Sequence, residues 1–297
     1  MTTTTSTTVI RVATRPSKLA LAQTELALAA LRTVVREAEF VLVPITSEAD
    51  QRADEPLRTF GDKGAFVARV QEALLDNRAD VAVHSLKDLP VEITPGLQLF
   101  AYLPREDPRD ALVSRDGSTL ERLPPGSRVG TGSLRRVEQL QAVRPDLHYV
   151  DIRGNVDTRL KKLDSGGYDA VVLAAAGMIR LGLGERITRY LHIDVCTPAP
   201  GQGIVALECR QDYELITALN AMNDEAASSA ALAERTLAQL VGATCTTAFG
   251  AVAVPTKEVL SLTAWLAGAE SRAVVHGRQG YESELATTAA GILLANG

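Results

Sequence analysis

The segment Asp80–Pro90 reads Asp-Val-Ala-Val-His-Ser-Leu-Lys-Asp-Leu-Pro. It starts as an apolar strand at Val81–Val83 and turns ionisable within one residue, with His84, Ser85, Lys87 and Asp88 before Pro90. Pro90 lacks a backbone donor and holds Leu89 extended, so the run cannot continue as a helix. A buried strand ending in a tight group of ionisable side chains is the arrangement of a site at the carboxyl end of an α/β sheet. Asp88 is the candidate catalytic group. Surrounded by cations it stays ionised, where it either stabilises a developing positive charge or shuttles a proton. His84 has a catalytic and a structural reading, and the structural one is the commoner at a strand end.

A second pattern recurs three times. Arginines stand beside Gly, Ser or Asn turns at the starts of expected helices. Arg15 precedes Ser17; Thr131-Gly132-Ser133 precedes Arg135 and Arg136; Arg153-Gly154-Asn155 precedes the helix holding Arg159. Helix N-termini offer free N–H groups and partial positive charge, and arginine adds a planar fork that grips a carboxylate with two hydrogen bonds. From Arg128 to Leu163 there are eight Lys or Arg residues against four Asp or Glu, in a chain whose net charge is −5. The contrast points to a concave site for a small polyanion, whether carboxylate or phosphate. Neither a Gly-x-x-x-x-Gly-Lys-Ser/Thr loop nor a Gly-x-Gly-x-x-Gly turn follows a strand, so a nucleotide is unsupported. Lys63 sits in the turn Phe60-Gly61-Asp62-Lys63-Gly64, and Lys87 adds charge beside Asp88.

The elements that must position these groups follow a βα rhythm. Val9–Ala13, Phe40–Ile45 and Val81–Val83 read as strands, with helices over 18–37 and 65–77, and Ser17 as the N-cap of the first. The polar run Thr46–Glu55 reads as a loop. A second α/β unit pairs strands Arg128–Gly130, His148–Ile152 and Asp169–Ala175 with helices 134–143, 156–163 and 178–183. Thr197–Gly203 reads as a crossing back to a strand at Ile204–Cys209. From Asp224 onward, helices 225–240 and 282–294 enclose alternating segments at 250–255, 260–266 and 271–277, a small α+β unit with an antiparallel sheet. The first two units are expected to be mostly parallel sheets with helices on both faces. The expected domains are 1–103 with 204–222, 104–203, and 223–297.

With 297 residues, 46% apolar and 23% charged, the chain has the composition of a globular protein of two or three domains. Its negative charge argues against a general nucleic-acid binder. Thr2–Thr8 lacks the apolar core of a signal peptide, and no apolar run is long enough to span a membrane, so a cytoplasmic location is expected. Cys196, Cys209 and Cys245 are too few and too scattered for a disulfide framework, and the four histidines show no metal-ligand spacing. Cys245 lies in the small-residue loop Val241–Thr247, where a thiol is either accessible or a small buried hydrophobe.

Taken together, the motifs Arg-Val-Ala-Thr-Arg-Pro-Ser-Lys-Leu-Ala-Leu (11–21), Val-His-Ser-Leu-Lys-Asp-Leu-Pro (83–90), Arg-Glu-Asp-Pro-Arg-Asp-Ala (105–111), Val-Gly-Thr-Gly-Ser-Leu-Arg-Arg (129–136), Arg-Gly-Asn-Val-Asp-Thr-Arg-Leu (153–160) and Pro-Gly-Gln-Gly (200–203), with the cysteine loop, resemble the porphobilinogen deaminase (hydroxymethylbilane synthase) family over nearly the whole chain. The resemblance implies two periplasmic-binding-protein-like domains with a cleft between them, a small third domain, and a monomer. It implies a transferase that condenses four porphobilinogen molecules, with loss of ammonia, into linear hydroxymethylbilane. Its dipyrromethane cofactor would be held by a thioether to Cys245. Asp88 would stabilise positive charge on the pyrrole nitrogen as ammonia leaves. Lys87, Thr131, Ser133, Arg135, Arg136 and Arg153 would hold the cofactor, and Arg15, Ser17, Lys63, Arg159, Arg180 and Gln202 the substrate. Two other readings share these residues: a divergent paralogue making a different or shorter pyrrole oligomer, and a non-catalytic polycarboxylate-binding protein.

Overall fold

The computed structural model describes residues 8–46, 64–244, 247–269 and 272–295. Lys63, Cys245 and the loop expected over 46–55, apart from its first residue, lie outside the described residues.

Three sheets organise the described chain. The first runs in the order Glu39–Pro44, Val9–Thr14, Val81–Ser85, Val205–Arg210, Leu97–Tyr102. Val9–Thr14 pairs parallel with both neighbours, whereas Val205–Arg210 lies antiparallel to Val81–Ser85 and to Leu97–Tyr102. The second sheet repeats the plan, in the order His148–Val150, Arg128–Gly130, Ala170–Ala174, Asp110–Ser114, Arg189–Tyr190. Its first two pairings are parallel and the Asp110–Ser114 pairings antiparallel. Both sheets are therefore mixed rather than mostly parallel. The reason is in the connections. The chain leaves the first sheet at Tyr102 to enter the second at Asp110, and returns from Tyr190 to Val205, so the returning and entering strands run against the βα units they join.

Helices cover both faces of each sheet, as strand alternation requires. Ile10 and Val12 face Leu28 and Leu31 of the helix Lys18–Val34, while Ala13 and Ala82 face Val70 and Leu74 of the helix Gly64–Leu75. In the second sheet, Leu112 and Val129 pack with Leu140 of the helix Leu134–Val143, and Val113 and Val171 with Leu160 and Leu163 of the helix Val156–Asp164. The third sheet is an antiparallel meander, Phe249–Pro255, Val259–Leu266 and Ala273–Arg278, packed against helices Glu225–Leu240 and Glu282–Leu294. Asp224 caps the first of these by accepting from Ala227 N at 2.7 Å.

The two crossings lie side by side. Leu103 N donates to Val205 O at 2.9 Å and Glu106 N to Gly203 O at 3.1 Å. Gly203 has φ +91°, and a Cβ there would lie 2.3 Å from Glu106 O, so only glycine lets the crossings meet. Beside them sits the buried Glu234. It accepts from Arg105 Nη1 at 2.5 Å, Gly201 N at 2.6 Å and Ala253 N at 2.7 Å, tying the third unit to both crossings.

Candidate active site

The strand Val81–Ser85 ends in a 3₁₀ turn, Leu86–Asp88. Leu86 and Leu89 point into the apolar core shared with Ala230, Leu237 and Phe249 of the third unit, and Gly201 presses on Leu86 from the crossing. Arg235 Nη2 donates to Pro90 O and Val91 O, both at 2.8 Å. With its apolar flanks anchored, the turn presents Lys87 and Asp88 to a cavity of about 330 Å³ between the first two units. Beneath it, buried His84 Nε2 lies 3.1 Å from Glu208 Oε2, and Gln71 Nε2 donates to Glu208 Oε1 at 2.9 Å. His84 thus spends a ring nitrogen on a buried carboxylate, the structural reading.

The cavity brings together Asp88, Lys87, Arg15, Ser17, Ser133, Arg135, Arg136, Arg153, Arg159, Arg180 and Gln202. Thr131 is not in its lining; it is buried, and its Oγ1 accepts from Ser133 N at 3.3 Å, holding the turn that carries Ser133. Ser17 caps its helix, accepting from Ala20 N at 3.3 Å. Lys63 and Cys245 lie outside the described residues. The expectations did not include Lys18, which reaches across the cleft to Asp157 at 3.5 Å, or Gln23, hydrogen-bonded to Ser85 Oγ at 2.8 Å. Nor do they include Asp110, which lies within the motif 105–111. Asp110 is wholly inaccessible to solvent and faces Arg135 Nη1 and Arg136 Nη2, each at 2.7 Å.

The cations fall into two classes. Arg135 and Arg136 share the carboxylate of Asp110. Burial alone would raise the Asp110 pKa, but the two guanidinium groups overcome it and hold the carboxyl far below the usual range. The other class lines the same cavity without sharing Asp110. Arg159 donates through Nε to Gly154 O at 2.7 Å, and Arg180 through Nη2 to Gly203 O at 2.6 Å. Burial, then the neighbouring charges of Arg136 and Arg153, push Arg159 down to about 10, with Asp151 and Asp88 acting in the opposite sense. Burial lowers Arg180 too. Arg153 is shared with Asp151 at 2.8 Å. Eight Lys and Arg residues line the cavity against two carboxylates, Asp88 and Asp157. Crowded cations of depressed pKa are a standing electrostatic cost that a bound polyanion relieves.

Cys196 and Cys209 are both buried, and burial pushes each thiol up to about 12. Neither is poised as a thiolate. Among the described residues no group of His, Cys, Asp and Glu could hold a metal ion, and no helix is long and apolar enough to cross a membrane.

Fold and site define a two-lobed α/β protein with a cation-lined cleft that holds Asp88. The family model for "Porphobilinogen deaminase, dipyromethane cofactor binding domain" matches residues 10–218. Porphobilinogen deaminase of Roseiflexus castenholzii is 46% identical over 276 residues, covering 93% of this chain and 91% of the relative. That of Xanthomonas campestris pv. campestris is 46% identical over 291 residues, covering 98% and 95%. Among solved structures, the methionine binding protein MetQ is 14% identical and matches 72% of this chain to 89% of its own, with a TM-score of 0.46. The chain belongs to the porphobilinogen deaminase family.

Proposed function

We propose that the protein is a hydroxymethylbilane synthase, condensing four porphobilinogen molecules with loss of ammonia into linear hydroxymethylbilane. The observation that carries the reading is Asp88 standing in a cavity lined by eight Lys and Arg residues. Each pyrrole unit of the product carries two carboxylates, so a growing chain needs this excess of cations.

The donor set fits a dipyrromethane cofactor. At Arg159 burial and two neighbouring cations outweigh Asp151 and Asp88, and carboxylates of a bound pyrrole would restore the balance. Lys87, Ser133, Arg153 and the Arg135–Arg136 pair would hold the cofactor, with Thr131 supporting Ser133 and Cys245 as the tether. When bound, it supplies the free pyrrole carbon from which the product is extended. Arg15, Ser17, Arg159 and Arg180 would grip the incoming substrate, with Lys63 from its glycine turn. Asp88 faces the positive charge that develops on the pyrrole nitrogen as the aminomethyl C–N bond breaks and ammonia departs. An ionised carboxylate in a partly enclosed cleft stabilises that charge more than water would. We take 1–103 with 204–222, 104–203 and 223–297 as the domains, a cytoplasmic location and a monomeric state as parts of the same reading.

The test is intact mass together with turnover. Protein purified from a pyrrole-making host is expected to carry a covalent mass increase that Cys245→Ser removes. Given porphobilinogen it should yield a product that oxidises in acid to uroporphyrin, and Asp88→Asn should abolish turnover. Unmodified mass with no consumption of porphobilinogen would overturn the reading. A dipyrrole product, separated by chromatography, would identify the shorter-oligomer paralogue instead.

A further inference from the structure

Asp110 receives five donors: Arg135 Nη1 at 2.7 Å, Arg136 Nη2 at 2.7 Å and Nε at 3.1 Å, Gln202 Nε2 at 2.9 Å and Cys196 Sγ at 3.2 Å. An ionised carboxylate offers about four lone-pair sites. Asp110 is therefore saturated and shut off from the cavity, so it can act only through its partners.

Gln202 is the partner that crosses the cleft. It was expected to contact substrate, yet it is 1% exposed and both ends of its amide are engaged. Nε2 donates to Asp110 Oδ1 and to Pro108 O at 2.7 Å. An amide has one donor end and one acceptor end. With the donor end drawn to the anion, Oε1 must face the first unit, where Lys87 Nζ donates to it at 3.2 Å. Lys87 adjoins Asp88. In the other direction Arg135 Nη1 and Gln139 Nε2 both donate to Thr197 O, at 2.7 and 3.2 Å, and Arg272 of the third unit donates to Thr197 Oγ1 at 3.1 Å and Gln139 Oε1 at 3.0 Å. A continuous polar chain thus joins the third unit, the arginine wall and the turn that bears Asp88.

We infer that Asp110 is a positioning residue: by orienting the Gln202 amide it holds Lys87, and with it the Asp88 turn, in register with the arginines of the facing wall. The inference rests on the proposed pyrrole condensation. A displacement of about 1 Å at a reacting group costs on the order of 100-fold in rate, and that is the scale of loss expected when the chain is cut.

Gln202→Leu cuts it while leaving Asp110 its three arginine contacts, so the fold is kept. Its kcat for porphobilinogen consumption is expected to fall about 100-fold with KM changed less than about threefold. Lys87→Met should lose at least as much, because Lys87 would also hold the cofactor, and adding Gln202→Leu to Lys87→Met should cost nothing further, because the Gln202 link acts through Lys87. Asp110→Asn should show the same kcat loss with a lowered melting temperature. Independently of turnover, amide exchange in the peptide 86–89 should quicken about tenfold in Gln202→Leu, since the turn loses a tether. A Gln202→Leu enzyme with unchanged kcat, a rise in KM alone, losses that multiply in the double variant, or unchanged exchange would each overturn the inference. A wild-type protein that consumes no porphobilinogen would overturn the proposed function instead, and the exchange result would still decide whether the tether exists.

Discussion

Replacing Arg159 by Met should make the ligand-free protein more stable while weakening its affinity for polyanions. The depression of Arg159 to about 10 corresponds to a penalty of about 3 kcal/mol on its charged form. The cleft is open to water on one side, so about half of that is a fair share to assign to the fold. Against it stands the bond from Nε to Gly154 O, worth about 1 kcal/mol. Methionine keeps the aliphatic stem packed, which leaves a net gain of roughly 0.5–1 kcal/mol. For a chain of this size that is a rise of about 1–4 °C in melting temperature. The sign with pH follows from linkage. The penalty is fully present wherever the guanidinium is charged in both states, that is below about 10, and fades as pH rises through that value because the folded state sheds its proton first. The variant's advantage should therefore shrink above pH 10. Calorimetry in buffer free of phosphate and carboxylate anions measures both effects. Added pyrophosphate should narrow or reverse the order, stabilising wild type more than the variant. A variant less stable than wild type in anion-free buffer would refute the picture of Arg159 as a charge held ready for a ligand.

Two further substitutions test the frame that carries the site. Glu234→Gln leaves Arg105 without its buried counter-charge and turns an amide donor toward the N–H of Gly201 or Ala253. The cost is about 3–5 kcal/mol, read as a fall of about 6–20 °C in melting temperature. Gly203→Ala demands φ +91° and puts a methyl 2.3 Å from Glu106 O at the paired crossings. A loss of about 3 kcal/mol or more, again by calorimetry, is expected, and a neutral outcome would mean the crossings can separate.

Much of the fold could be read from the chain because its signals are local. The helices Leu134–Val143, Glu225–Leu240 and Glu282–Leu294 have the expected bounds, set by apolar periodicity and, for the second, by Asp224. The strands Leu97–Tyr102 and Asp110–Ser114 are not evident from the local sequence. The first borders a polar turn, and the second follows Arg105–Arg109, whose charges and prolines suggest a loop. Sheet direction is not legible locally because it depends on where the chain crosses between units. The site shows the same division. Side chains that project into the cleft announce themselves by excess charge beside turn residues. What they are paired with does not, since Asp110 meets arginines 25 and 26 positions away through the fold alone.

That pairing bears on how a cleft with so much charge stays closed. Eight unshared cations would drive the two units apart at low ionic strength. Among the described residues the repulsion is reduced where it is worst, at the buried pair Arg135 and Arg136, by an anion no ligand can displace. It remains at Arg159, whose charge is disfavoured by burial and by Arg136 and Arg153, while at Arg180 burial acts against the charge and Glu106 supports it. One acidic residue behind the wall therefore separates the cations it neutralises, Arg135 and Arg136, from Arg159, whose charge has no such buried partner. The separation carries a consequence for salt. Raising ionic strength in the absence of ligand should stabilise wild type more than Arg159→Met, because the screened repulsion lies on the ligand-facing side. Melting temperatures that rise equally in both proteins between low and high sodium chloride would place the strain elsewhere.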